Sequence, residues 1–272
     1  MRYLARSADG TVLLGDDEGF VPLAAADSSL QTMGDALQRA PEGLPAPGDA
    51  RAARIPAEDI TFGLPLAPVK KLWGIGLNYA DHAADLHEVR PEEPASFVKP
   101  PSTATGPGGP IRLPDPEITN RVTAEAELGV VMGRTFSHVD EDEFDDVVAG
   151  FVPIIDMTAE DVLEKNPRFL TRAKSFDTFL VAGPWIAVPD SPTELLDSVA
   201  VRTVVNDEVI AENTLEGMLF EPPELVSFHS QVMTFEPGDV ISTGTPGAGV
   251  IEPGDSVRAE VDPVGVLESE VR

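Results

Sequence analysis

The chain contains no cysteine, which removes disulfide frameworks, thiolate nucleophiles and zinc–sulfur centres from consideration. Histidine is almost as scarce, with His82, His87, His138 and His229 the only four imidazoles in 272 residues. Lysine is limited to Lys70, Lys71, Lys99, Lys165 and Lys174, so a lysine that falls beside a strand end or a motif is informative. No apolar run approaches the roughly 18 residues of a membrane span, and no basic-then-apolar leader opens the chain. The sequence therefore predicts a cytoplasmic protein with no membrane association.

What the chain has in excess is acid. Asp and Glu number 47 against 19 Lys and Arg, for a formal net charge of −28. Nucleic acid and anionic membrane surfaces would be repelled, so neither is an expected partner. Dispersed acids, few lysines and many Ala, Val and Thr resemble the composition of proteins from a high-salt cytoplasm, where screening makes such a surface tolerable. With 42% hydrophobic residues over 272 positions, the chain can bury a core large enough for one large domain, or a large one and a small one.

Against this acidic background one stretch stands out. Thr123-Ala124-Glu125-Ala126-Glu127-Leu128-Gly129-Val130-Val131-Met132-Gly133 sets two acids two positions apart at the head of an apolar run. In a strand, residues i and i+2 point to one face, about 7 Å apart along the chain. Two carboxylates so placed repel each other and resist desolvation unless a cation lies between them. A hard metal ion is the simplest remedy. A third oxygen ligand is expected from Asp156, which closes a second apolar run, Phe151-Val152-Pro153-Ile154-Ile155-Asp156.

The pieces around this site read in order. Residues 2–14 suggest a hairpin about Asp9-Gly10, and Phe20–Leu23 a further strand. Ser28 or Ser29 is placed to cap a helix running to about Arg39, with Leu30, Met33 and Leu37 at helical spacing. Residues 40–68 shift to Pro, Gly, Ala and charge, as in a surface connection. These features set off a small N-terminal β-rich domain at 1–65 from the remainder, 66–272. Lys71–Gly76 reads as a buried strand leading to Asn78, an N-cap for a helix over Tyr79–Glu88 that carries His82 and Asp85 on one face. Ser96–Lys99 is a short strand ending in one of the rare lysines. Asp140–Asp146 suggests a short solvated helix. Thr158 and Asp161 have the spacing of a capping box for a helix ending near Lys165, before Pro167. The last third is β-dominated, with strands near 184–188, 199–205, 239–242 and 256–261. There, Glu236-Pro237-Gly238-Asp239 and Glu252-Pro253-Gly254-Asp255 repeat one turn recipe. Between the copies, Thr243-Gly244-Thr245-Pro246-Gly247 offers amide and hydroxyl donors at a strand end.

Six segments in register, Gly76-Leu77-Asn78-Tyr79-Ala80-Asp81-His82, Phe97-Val98-Lys99-Pro100, Glu125-Ala126-Glu127-Leu128, Asp156-Met157-Thr158-Ala159, Ala173-Lys174-Ser175-Phe176-Asp177 and Pro237–Ile241 with Thr243–Pro246, resemble the fumarylacetoacetate hydrolase family over about residues 70–272. The resemblance implies an α+β, β-dominated fold, a mixed β-roll or sandwich with short helices, in a protein that is usually a homodimer. It implies a Mg²⁺, Mn²⁺ or Ca²⁺ ion on carboxylates matching Glu125, Glu127 and Asp156, and a small 2-oxo or β-diketo acid as substrate. Such an ion with three carboxylate ligands keeps positions open for the carboxylate and keto oxygens of a 2-oxo acid. In that setting His82 would act as general base and Asp85 would orient it. Lys174 would neutralise the developing oxyanion, and Lys99 and Thr245 would hold substrate oxygens.

Three positions, in two places, depart from the family pattern. Where relatives commonly carry Arg and Gln in the segment after the aspartate, this chain has Glu160 and Leu163, with Arg168 or Arg172 as the nearest compensating cations. Asp85 stands where hydrolytic members usually have Glu, one methylene longer. The reactions consistent with the resemblance are C–C bond hydrolysis of an acylpyruvate-type acid and lyase or isomerase chemistry: 2-oxo acid decarboxylation, diene-dioate isomerisation or 2-keto-3-deoxy sugar-acid dehydration. A non-catalytic metal-binding homologue is the third reading.

Overall fold

The computed structural model describes residues 1–80 and 91–272. Sixteen strands make up the described architecture: β1 (Arg2–Arg6), β2 (Val12–Asp16), β3 (Gly19–Pro22), β4 (Leu72–Gly76), β5 (Ala95–Lys99), β6 (Ala104–Thr105), β7 (Val122–Met132), β8 (Val148–Ala159), β9 (Leu180–Ala182), β10 (Trp185–Val188), β11 (Ala200–Val205), β12 (Glu208–Thr214), β13 (Val240–Ser242), β14 (Ala248–Ile251), β15 (Ser256–Asp262) and β16 (Gly265–Glu270). Their connections include short helices and single 3-10 turns, which gives the β-dominated α+β class. No described helix is long and apolar enough to cross a membrane.

The larger sheet runs β3-β2-β1-β10-β8-β7-β13-β4-β5, with β14 also paired to β7, and β9 joining β8 to β6. The smaller sheet is β12-β11-β15-β16. The first three strands form the expected hairpin and its extension, and β1 pairs antiparallel with β10, so they continue the larger sheet.

At the centre lie β7 and β8, 11 and 12 residues long and buried at every position. Their side chains sort by parity, as a strand requires. Ala124, Ala126, Leu128 and Val130 of β7, with Ile155 and Met157 of β8, pack in one cluster with Val201, Val257, Ala259, Val261 and Leu267 of the smaller sheet. On the opposite face, Val131, Val152 and Ile154 pack with Leu72 and Val240. Thr203 of β11 ties the layers by accepting from the Ala126 amide at 3.0 Å and donating to the Gly247 carbonyl at 2.9 Å.

Several local expectations need correction. The first long helix is Met33–Arg39, and its cap is Thr32, in a reciprocal capping box with Asp35, not Ser28 or Ser29. Asp27 accepts from both the backbone and the hydroxyl of Ser29, which holds that serine in a turn before the helix begins. Asp140 caps the acidic segment, but the helix Phe144–Val147 is half embedded, with Phe144 and Val147 buried. Thr158 does not cap the next helix. β8 continues through Ala159, the helix Glu160–Lys165 starts from it without a side-chain cap, and the Thr158 hydroxyl is used elsewhere. The repeated Glu-Pro-Gly-Asp turns form as expected, with φ of +89° at Gly238 and +98° at Gly254, and each closing aspartate accepts from the amide of its opening glutamate.

Candidate metal centre

The register of β7 against β8 sets Glu125 directly opposite Asp156. Glu127, two residues along β7, points to the same face, and one oxygen from each of the three carboxylates lies within 4.8 Å of the other two. All three are buried, Glu127 and Asp156 to 1% exposure. Period-2 alternation brings the two glutamates together, and antiparallel pairing supplies the aspartate.

Two of the five lysines meet this cluster. Lys174, at the end of the short helix Leu170–Lys174, donates to Glu125 Oε2 at 2.6 Å and to Asp156 Oδ2 at 3.0 Å. Its ammonium lies 5.2 Å from the centre of the Phe97 ring. Lys99, the last residue of β5, pairs with the other oxygen of Asp156 and donates to the Phe179 carbonyl at 2.7 Å. Thr158 donates to Glu125 Oε1 at 2.8 Å. Glu127 is served differently, by the Ser242 hydroxyl and by the Gly244 amide at 3.0 Å, both on Oε2. Gly244 has φ +93°, and a Cβ there would come within 3.1 Å of the Ile75 carbonyl oxygen, so only glycine brings this amide to Glu127.

The electrostatics follow these contacts. Burial raises the carboxyl of Asp156, but Lys174 and Lys99 outweigh it and hold the group below its ordinary value. For Lys174, burial favours the neutral amine, yet Asp156, Glu125 and Glu127 keep it protonated well above the usual lysine range. Lys99 is shifted down, by burial first, with the charge of Lys174 adding to the effect against the pull of Asp156. Glu127 is pushed up to about 8, by burial and then by the charge of Asp156. Its bonded partners are a neutral hydroxyl and an amide. With all three carboxylates ionised, the cluster would hold more negative charge than its two lysines compensate. Three convergent, desolvated oxygen donors of this kind fit a hard divalent cation.

The remaining residues singled out by sequence fall in different places. His82 and Asp85 lie outside the described residues. The chain enters that segment from Asn78, whose buried side chain donates to the Thr243 and Phe220 carbonyls at 2.7 and 3.0 Å and accepts from the Phe220 amide at 3.0 Å. Asn78 is thereby anchored to the loop that reaches Glu127. Thr245, in that loop, is buried, and its hydroxyl donates to the Gly247 carbonyl at 2.9 Å and accepts from the Gly247 amide at 3.2 Å. Arg172 is exposed, with its guanidinium 6.0 Å from the centre of the Phe169 ring. Ser242 and Thr158 escaped the sequence reading as carboxylate partners. The signal for Ser242 was its position at the strand end just before Thr243-Gly244.

The chain belongs to the fumarylacetoacetate hydrolase family: the family model described as fumarylacetoacetate (FAA) hydrolase C-terminal matches residues 71–272. An uncharacterized protein of Archaeoglobus fulgidus is 40% identical over 216 residues, which span 79% of this chain and 83% of that one. Among solved structures, 5-carboxymethyl-2-hydroxymuconate delta-isomerase from Mycobacterium smegmatis is 33% identical, with a TM-score of 0.78 over 100% of this chain and 99% of that one. Maleylpyruvate hydrolase from Sphingobium sp. SYK-6, solved in complex with manganese(II) and pyruvate, is 28% identical, with a TM-score of 0.79 over 99% of this chain and 98% of that one.

Proposed function

We propose that this protein is a divalent-metal-dependent hydrolase that cleaves a C–C bond in a small 2-oxo or β-diketo acid of the acylpyruvate type. The observation that carries the reading is the convergence of Glu125, Glu127 and Asp156 within 4.8 Å on one buried strand face. Mg²⁺ or Mn²⁺ fits that donor set, and the ion would supply Lewis acidity toward the carboxylate and keto oxygens of the substrate. The pyruvate and manganese held by the maleylpyruvate hydrolase support the same substrate end here.

The chain's own residues then divide the remaining work. Thr158, Ser242 and the Gly244 amide fix the carboxylates in place. Lys174, already bonded to two of them, presents a permanently charged ammonium to the keto oxygen as negative charge develops there. Lys99 compensates Asp156 from the protein interior. His82, oriented by Asp85, takes the proton from water that attacks the distal carbonyl carbon. The C–C bond breaks, and its electron pair passes into the 2-oxo acid fragment, which is protonated on release. Thr245 shapes the turn at the substrate's other edge.

A second reading, lyase or isomerase chemistry with the same charge stabilisation, is favoured by the isomerase named among the solved relatives and by the short arm of Asp85. The deciding experiment incubates the protein in molar KCl with Mg²⁺ or Mn²⁺ and a panel of 2-oxo acids and reads products by NMR. Two acid fragments from an acylpyruvate support hydrolysis. Loss of CO₂, a shifted double bond or loss of water instead supports the second reading. No turnover on the whole panel would sink both.

A further inference from the structure

The face of β7 that carries the carboxylates does not end with them. Thr123, Glu125 and Glu127 alternate along it, about 7 Å apart at each step. Thr123 is buried and donates to Glu160 Oε1 at 3.0 Å. Glu160 opens the helix that leaves β8, and its amide donates to the Arg121 carbonyl at 2.9 Å. It is thus held at both backbone and side chain, one step along the strand from the metal centre. A ligand anchored on the triad and extended toward Thr123 meets a carboxylate.

No described cation forms an ion pair with it; Lys174 and Arg121 attract it only from a distance. From Glu160 the chain runs through the helices 160–165 and 170–174 and returns to the triad at Lys174, whose ammonium is engaged by Glu125 and Asp156. Leu163, on the same helical face as Glu160, packs against the main core. Arg168 and Arg172 are exposed. Lys165 pairs with Asp161 at 3.6 Å, and Arg121, half exposed, with Glu164 at 2.8 Å. Burial and the charge of Glu125 raise the carboxyl of Glu160 against the pull of its Thr123 bond, Lys174 and Arg121, so a second negative charge beside the ionised group is unfavourable. Among the described residues, Glu125, Glu127, Asp156 and Glu160 face Lys99 and Lys174, leaving two formal negative charges that a divalent ion neutralises. A monoanionic ligand then adds one charge and a dianion two.

We propose that Glu160 is the residue that sets the substrate class at the far end of the site: it accepts a hydrogen bond from a hydroxyl or other neutral donor and turns away a second carboxylate. The inference rests on the metal-end reading given above and narrows it to monoanionic 2-oxo acids with a neutral, hydrogen-bonding tail.

The test uses Mn²⁺-loaded protein at one fixed KCl concentration and calorimetric binding of two acids of equal length, 5-hydroxy-2-oxopentanoate and 2-oxoglutarate, with oxalate as a probe of the metal end alone. The native protein is expected to favour the hydroxy acid about tenfold, a like-charge penalty of ordinary size. Glu160→Gln, which keeps the acceptor for Thr123, should bring the two affinities close to equal, and Glu160→Arg should reverse the preference, with oxalate affinity changed little in either. Equal affinities in the native protein, or a ratio that Glu160→Gln leaves unmoved while oxalate still binds, overturn this inference alone. Failure of oxalate and both acids to bind the Mn²⁺-loaded protein overturns the metal-end reading and this inference with it.

Discussion

Glu125 and Asp156 face each other as register partners across β7 and β8, and the single ammonium of Lys174 is bonded to both, at 2.6 and 3.0 Å. Lys174 therefore stands beside two of the three groups that would hold the metal, as a positive charge the fold supplies by itself. Its replacement separates two roles. In Lys174→Met the metal affinity measured by calorimetry should not fall, since a competing cation has been removed, whereas kcat should fall by about 10²–10³, the usual cost of losing one oxyanion partner. Without metal, the variant should unfold at lower denaturant because two buried carboxylates lose their partner, and added Mn²⁺ should restore part of the loss. An unchanged kcat would remove Lys174 from the chemistry.

Glu127 gives the sharpest test of the metal site. Its oxygens converge with those of Glu125 and Asp156, yet its bonded partners are neutral. Glu127→Ala should abolish divalent-ion binding by calorimetry. Undiminished binding would sink the site.

A pH dependence follows from the same residue. In metal-free protein burial and the charge of Asp156 push the Glu127 carboxyl up to about 8 from an ordinary glutamate value of 4.5. The folded state then holds a proton that the unfolded state has lost, so this group's contribution is fully present below pH 4.5 and is lost as pH rises through 8. Denaturation in EDTA should show native stability declining across that interval by roughly a few kcal/mol more than in Glu127→Gln. Metal binding below pH 8 should also release a proton, seen as a binding enthalpy that changes with the ionisation enthalpy of the buffer. Equal slopes in both proteins, with no buffer dependence, would contradict the assignment.

The paired acids were legible because two local signals agreed: alternation at i and i+2, and an apolar run that had to be buried. Asp156 was legible as the end of a second such run, but its register opposite Glu125 is a property of strand pairing that no local pattern encodes. The same limit applies to Thr158, whose spacing to Asp161 imitates a capping box, while its register opposite Thr123 sets it diagonal to Glu125, to which its hydroxyl donates. Strands on the outside were harder to see. β12, Glu208–Thr214, is half polar and has no buried position, so it lacks the apolar alternation that revealed β11. Thr32, Ser28 and Ser29 are all good caps by residue type, and only the turn closed by Asp27 decides among them.

The final prediction concerns the segment that carries His82 and Asp85. Asn78, ahead of it in the chain, is bonded to Thr243 and Phe220, beside the loop whose Gly244 amide reaches Glu127. If His82 is the base, His82→Ala should lower kcat by about 10²–10⁴, the usual range for general base catalysis, while calorimetric metal affinity stays unchanged. Asp85→Glu tests the orienting arm. One added methylene should raise the rate of C–C hydrolysis if the native carboxylate falls short of the imidazole, and should leave isomerase or lyase turnover unaffected, because those reactions need no activated water. A kcat unchanged in His82→Ala would take the histidine out of the mechanism. A rise in both activities of Asp85→Glu would show that the arm acts on something other than water activation.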